Sequence, residues 1–417
     1  MNAPKRGRRQ FLKESVALAG MALGAAATAS AQTPEGAATD VHPKGVVEPY
    51  GVRSRFEKSV RVPEPNATHQ AFARSLGALT PLREIIGTIT PSGLHYVANH
   101  GYYPPVIDPQ QHRLLIHGMV DRPLIFTMEE LRRLPSVSRV YFLECQANKA
   151  NPRKDNVDDS HGKTACSEWT GVPLSLLLKE AGVQSGADWI VAEGDEAGKH
   201  AKSVPLSKVM KDVMLAYGQN GEPVRPENGY PLRLMVPGFE AIYSVKWVRR
   251  IKLVDRPYME YQEVTRYTTK DAKSAWFNFE MGPKSVITFP AGGQRMPGRG
   301  YFQITGLAWS GGGAIRRVEV STDGGKTWND AEIQGPALPM AHTRFGFSWK
   351  WEGQEAMLLS RCTDEQGQVQ PSLAEFAKFW GLTPEKALSD GGGMGHFNMI
   401  QPWKVSSDGS IHNAILS

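Results

Sequence analysis

Residues 139–151 read Arg-Val-Tyr-Phe-Leu-Glu-Cys-Gln-Ala-Asn-Lys-Ala-Asn. The stretch opens on an apolar run, Val140 to Leu143, whose length and composition predict a strand buried on at least one face. At Glu144-Cys145-Gln146-Ala147-Asn148 the run gives way to a polar turn. A cysteine there sits where a strand end delivers one side chain into a pocket from rigid backbone. As a thiolate it is a strong soft donor for a redox metal. The same residue also reads as a small hydrophobe at a strand end, because free cysteine is among the most buried residue types.

Outward from that strand, the chain of 417 residues is long enough for two or three domains. Its hydrophobic content of 41% and charged content of 22% are ordinary for a globular protein. The formal charge of +6 is partly N-terminal: residues 1–31 hold five Lys/Arg and one Glu, leaving 43 basic against 41 acidic groups beyond. Composition therefore gives no sign of a nucleic-acid surface. Three cysteines, Cys145, Cys166 and Cys362, cannot all pair within one chain, and none stands in a C-x-x-C-H motif. No covalently attached c-type haem is expected on this chain. A G-x-G-x-x-G after a strand is also missing, so a dinucleotide fold has no support.

Residues 5–13 read Lys-Arg-Gly-Arg-Arg-Gln-Phe-Leu-Lys, and an Ala/Gly-rich run from Val16 closes on Ala29-Ser30-Ala31. This pattern predicts a twin-arginine export signal over residues 1–31, and hence a periplasmic protein. The run is shorter than the ~20 apolar residues a membrane span needs. Residues 32–80, rich in Pro, Gly and polar side chains, predict an extended arm or linker. A first domain is expected over residues 81–270. Its signals include a strand from His112, a Thr127/Glu130 capping box ahead of a helix at Met128–Leu134, and a second helix from Leu174 to Gly182. Asn220-Gly221 predicts a tight hairpin. Strands and short helices in this mixture give an α+β class with a mixed sheet, not a doubly wound one. Residues 149–163, strongly polar, read either as a lid or docking loop or as a solvated insertion.

In Leu232-Arg233-Leu234-Met235-Val236 the alternation sends Arg233 to the face opposite Leu232 and Leu234. An arginine and a lysine facing one pocket grip a phosphate, the first by its fork and the second as a point charge; Lys246 is the matching lysine. Two exposed strand cations would look the same in sequence. Beyond residue 284 the character changes to strand candidates at Tyr301–Trp309, Ile315–Ser321 and Arg344–Trp351. Phe345, Phe347, Trp349 and Trp351 share one face at period two, as the interior of an all-β sandwich requires.

A cysteine closing an apolar strand and followed by x-x-Asn resembles the molybdenum-ligating segment of the sulfite oxidase family, and the resemblance runs over residues 80 to 405. It implies a molybdenum–molybdopterin cofactor with Cys145 as the protein's metal ligand. Tyr96, Asn99 and His100 match a segment that lies along the pterin. Asp195, Asn228, Arg233, Ser244, Val245 and Lys246 match the remaining cofactor contacts. Tyr258, allowing one deleted residue, matches the active-site tyrosine. Gly306 to Gly312 and Ser321 to Trp328 are similar to the family's immunoglobulin-like dimerisation domain, which implies a homodimeric core over residues 285–405. A twin-arginine signal agrees with this cofactor, because that route carries proteins already folded.

The sequence departs from the family's sulfite-oxidising members at three places. Ala98 and Ala150 stand where those enzymes carry substrate arginines, and His396 falls where a third is expected. Each charge-assisted contact is worth ~1.5–3 kcal/mol, so a free dianion should bind more weakly. The pattern is similar to the sulfane-oxidising branch of the family, found in thiosulfate oxidation. That likeness implies oxygen-atom transfer to sulfane sulfur held on a carrier protein, with Cys145, Tyr258 and His396 at the reacting centre. It further implies a c-type cytochrome subunit as electron acceptor, around a homodimer core within a heterotetramer. Two alternatives stay open on sequence alone: a dehydrogenase of free sulfite, and a secreted scaffold protein with no enzymatic role. Cys166 and Cys362 read equally as a disulfide or as two buried thiols.

Overall fold

The computed structural model describes residues 53–54, 56–64, 77–99, 103–270, 275–389 and 396–416. The export signal and most of the expected arm lie outside the described residues. From Lys58 onward the chain forms one compact unit. The end of the expected arm is bound into it: Val62–Pro63 pairs with Gly77–Leu79, which pairs in turn with Val97–Ala98.

Two five-stranded sheets make the first half. One is antiparallel and runs Glu222–Pro223, Met214–Gln219, Thr164–Pro173, Val137–Glu144, with Arg233–Met235 also pairing to Met214–Gln219. The other runs Leu124–Thr127, Arg113–Gly118, Val248–Val254, Trp189–Gly194, Ala201–Pro205, and only its Arg113–Gly118 and Val248–Val254 pair is parallel. Leu174, Leu177, Leu178 and Ala181 recur at helical spacing on the helix Leu174–Ala181. Their shared face packs with Leu114 and Ile190 of one sheet and Leu215 and Leu234 of the other. The helix stops at Gly182, whose φ of +74° suits a residue without a Cβ. The capping box is formed in full, Thr127 and Glu130 each accepting from the other's backbone N–H ahead of Met128–Arg133. Asn220 and Gly221 both take positive φ, 51° and 76°, in the expected two-residue hairpin.

The strands of the second half pair antiparallel in two sheets, with two short helices, Leu373–Phe379 and Pro384–Ser389, set into the chain between strands. Lys284–Phe289, Gly300–Trp309, Thr343–Trp351 and Glu332–Gln334 form one sheet; Asn329–Asp330, Ile315–Ser321, Ala356–Asp364, Trp403–Val405 and Ile411–Asn413 form the other. Phe345, Trp349 and Trp351 are buried between them and Phe347 partly so. This is the mixed α+β half followed by an all-β sandwich that the sequence implies.

The halves do not merely touch. Phe142, Val157 and Cys166 of the first half belong to the same apolar core as Trp309, Val318, Phe345 and Trp403. At Gly311 the two backbones come so close that a Cβ would lie 2.1 Å from the Gly238 carbonyl oxygen. The polar stretch 149–163 is neither lid nor solvated insertion. Asp155 accepts from the Asn413 N–H at 2.8 Å and pairs with His412 at 2.9 Å, while Val157, Ser160 and His161 are buried. Asp158, buried, adds an ion pair to Arg83 at 2.7 Å. Cys166 and Cys362 are free and buried, not bridged; the Cys166 sulfur accepts from the His342 N–H at 3.4 Å.

Candidate functional site

The strand Val137–Glu144 is the outermost of its sheet, paired in register with Thr164–Pro173 so that Glu144 faces Thr164. Its other edge is covered, the Phe142 N–H donating to the Met340 carbonyl at 2.9 Å. An edge held on both sides is a rigid launching point for the next residue. Cys145 follows with its backbone fully engaged: its N–H donates to the Lys163 carbonyl at 3.0 Å and its carbonyl accepts from the Asn148 N–H at 2.8 Å. The half-buried side chain enters an open cavity of about 580 Å³. Burial pushes the thiol up and the nearby Lys163 charge opposes it. As a free thiol it stays protonated at neutral pH; a bound metal cation would hold it as the thiolate.

The cavity's far wall is cationic. Arg233 is 5% exposed, its Nη1 donates to the Asn228 carbonyl at 2.8 Å, and its buried Nε has no partner. Its guanidinium lies 5.4 Å from the Trp169 ring. Lys246 donates to the carbonyls of Ala98 and Glu227, both at 3.0 Å, and to the Asn99 side chain. Among the described residues neither cation has a carboxylate within ion-pair distance. Burial, then Arg233, pushes the Lys246 ammonium down to about 7, and burial lowers Arg233 to about 10. Two desolvated cations without a counter-ion are costly unless an anion joins them. Tyr96, Asn228, Ser244 and Val245 line the same cavity. His95 lines it too: its Nδ1–H donates to the Tyr96 carbonyl at 2.8 Å, which leaves a bare Nε2.

A second cavity of about 970 Å³ shares His200 and Lys246 with the first. Asn99 lines it, and so does Glu196, whose buried Oε2 has no partner. His100 lies outside the described residues. Asp195 is not brought to either cavity; it pairs with Lys199 at 2.8 Å beside Arg249 in a surface depression. The turn after Trp189–Gly194 aims its neighbour inward instead. Tyr258 is likewise elsewhere. It is 50% exposed, its hydroxyl against Lys252, in a different depression with Met119 and Pro257. The tyrosine in the cavity wall is Tyr267. It C-caps the helix Tyr261–Arg266, whose own N-terminus is a Glu260/Glu263 capping box. That box, readable in sequence, would have located the helix end beside the tyrosine that lines the cavity. His396 also misses the cavity. It is buried, with Nε2 2.8 Å from the Glu144 carboxylate. Ala98 does line the cavity, whereas Ala150 packs in a closed apolar cluster with Phe376 and Phe397.

These groups fit a phosphorylated pterin carrying a metal. The lone thiol offers one soft ligand, and among the described residues no three His, Cys, Asp or Glu groups converge to complete a metal site. The unpartnered Arg233 Nε suits a phosphate, with the hydrogen-bonded Lys246 adding positive charge, and the unpartnered Glu196 Oε2 suits the ring N–H donors of a pterin.

Comparison with known proteins agrees with that chemistry. Residues 100–262 match the oxidoreductase molybdopterin binding domain and residues 275–384 the Mo-co oxidoreductase dimerisation domain. The nitrate reductase (NADH) of Solanum lycopersicum is 33% identical over 339 residues, 68% of this chain and 36% of that protein. For the nitrate reductase (NAD(P)H) of Hordeum vulgare the figures are 31% over 353 residues, 72% and 39%. The chain thus spans little more than a third of these curated relatives. The crystal structure of the sulfane dehydrogenase SoxCD from Paracoccus pantotrophus superposes with a TM-score of 0.81 at 40% identity, covering 88% of this chain and 94% of that one.

Proposed function

The chain belongs to the sulfite oxidase family of molybdopterin oxidoreductases, and from that premise we propose that it oxidises sulfane sulfur presented on a carrier protein. The setting is the periplasm, which the export pattern of residues 1–31 supports. The electron acceptor is a c-type cytochrome subunit bound to a homodimeric core. One observation carries the choice of substrate: in the cavity beside Cys145 the side chain at position 98 is a methyl group. The other two positions do not compensate, since Ala150 is closed off in apolar packing and His396 is turned to Glu144. Arg233 and Lys246, the cations that remain, sit where the cofactor phosphate would take them up. Among the described residues of the cavity a dianion would then find no free positive charge. A sulfur chain tethered to a protein needs none, because its carrier supplies the binding surface.

When bound, the molybdenum cofactor supplies two-electron oxygen-atom transfer. The chain's own groups do the rest. Cys145 ligates the metal from a turn whose backbone is fully hydrogen-bonded. Arg233 and Lys246 neutralise the phosphate, and Glu196 accepts from the pterin ring. Tyr267 borders the reacting centre, where a phenolic O–H can donate to a developing oxyanion.

The test is steady-state kinetics of the holoenzyme with a c-type cytochrome as acceptor, comparing free sulfite with a persulfide-bearing protein. The reading expects the protein-bound sulfur to give the higher kcat/KM. A kcat/KM for free sulfite that equals or exceeds it would replace this reading by a sulfite dehydrogenase.

A further inference from the structure

The residue before the metal ligand is the most heavily bonded carboxylate in the site. Glu144 is fully buried and accepts four hydrogen bonds: from Asn148 Nδ2 at 2.8 Å, Lys284 Nζ at 2.6 Å, Trp309 Nε1 at 2.7 Å and His396 Nε2 at 2.8 Å. Three of the four donors come from the second half of the chain. Lys284 reaches further, since its Nζ also donates to the Asn148 carbonyl at 2.6 Å. One ammonium thus holds both ends of the turn 144–148, with Cys145 between them. Asn148 is fixed in addition by its own N–H to the Cys145 carbonyl and by the Lys163 N–H donating to its Oδ1 at 2.9 Å.

A surface carboxylate would need none of this, and a carboxylate buried only for stability is poorly chosen, because apolar residues of the same volume do as well. What four convergent donors provide is direction. The Glu144 side chain can occupy one position, which fixes its backbone, and that sets where the Cys145 sulfur points. We propose that Glu144 is a positioning residue for the metal-ligating thiol, and that Lys284, Trp309 and His396 deliver the clamp from the all-β half. That half thereby becomes part of the metal site's scaffold as well as a dimerisation domain. The proposal rests on Cys145 being the metal ligand.

Two readouts test it, one of them independent of cofactor. Cys166 and Cys362 are buried and Cys145 is not, so the rate of maleimide labelling of native cofactor-free protein reports on the cysteine turn. The double variant E144Q/K284M takes away the Lys284 donor and one of the two acceptor oxygens at position 144, which breaks the four-bond clamp and leaves no lone buried charge. It should label several-fold faster than the parent protein. The same variant loaded with molybdenum should show a displaced thiolate-to-metal visible band and a kcat lowered about tenfold with KM little changed. Parental labelling rate and parental band together would overturn the proposal. Should the double variant not fold, W309F, which removes a single donor, is read the same way: faster labelling supports the clamp and parental behaviour overturns it. Absence of molybdenum from the parent holoprotein would instead count against the cofactor reading, and the labelling comparison would still decide whether the turn is clamped.

Discussion

At position 98 the protein carries a methyl group in the wall of its reactive cavity, and the choice of substrate turns on it. Ala98→Arg should strengthen binding of free sulfite by one charge-assisted contact, ~1.5–3 kcal/mol, seen as a KM for sulfite roughly 10–150-fold lower. An unchanged KM would mean that the missing charge is not what excludes the dianion. Cys145→Ser should leave a folded protein without the visible band and without turnover; undiminished activity would remove the metal assignment. The two tyrosines make a paired test. Tyr267→Phe should lower kcat by about 10²-fold, the usual cost of one donor to a developing oxyanion, while Tyr258→Phe, at an exposed site, should leave kcat as it is. The reverse pattern would restore Tyr258 to the reacting centre. Single residues were unevenly readable in sequence. Arg233 declared its face by strand alternation, and Cys145 by ending an apolar run. Asp195 and Glu196 could not be told apart, since only the geometry of the turn decides which neighbour points inward. Glu144 gave no local sign of a buried clamp, since three of its four partners stand 140, 165 and 252 residues away.

Among the elements, the short helix Val157–His161 and the residue just before the strand Thr343–Trp351 bring two histidines, His161 and His342, to the seam between the halves. His161 bonds Ser160 Oγ at 2.9 Å, and His342 bonds Thr164 Oγ1 at 3.0 Å. Burial foremost pushes both imidazoles down, from 6.5 to about 3. In the unfolded chain each takes up a proton below pH 6.5, whereas in the fold neither does until about 3. Stability is therefore fully present above 6.5 and falls as pH drops toward 3, by roughly 1.4 kcal/mol per pH unit for each histidine. Denaturant melts at pH 7, 6 and 5 should show this decline, and His161→Gln with His342→Gln should make it shallower without abolishing it, since buried His95 is lowered to about 3 in the same way; a parental slope in the double variant would assign the acid sensitivity elsewhere. Elements with a local code were legible beforehand: the capping box at Thr127, the hairpin at Asn220-Gly221, the aromatic face ending in Trp351. The stretch 149–163 was not, because Asp155 bonds to His412 and Asn413 and the Val157 N–H donates to the Gly292 carbonyl, and nothing in a polar run says which distant segment it will meet.

For the molecule as a whole, the α+β half and the all-β half could be read from composition and periodicity, but their common core could not. Phe142, Val157 and Cys166 are packed among residues beyond 280, so the first half alone would expose an apolar seam and leave Glu144 without three of its donors. A chain ending at residue 270 should fail to give soluble, cofactor-binding protein, and the full chain should unfold in one transition by circular dichroism and by tryptophan fluorescence. Two separated transitions would show the halves to be independent. The reach of the clamp also has a consequence in time. His396 is made 252 residues after Glu144, and at 5–20 residues per second a ribosome needs on the order of ten to fifty seconds to bridge that interval. Throughout it the clamp on Glu144 is incomplete, so a cofactor that needs the cysteine turn already set has to wait until His396 has been made.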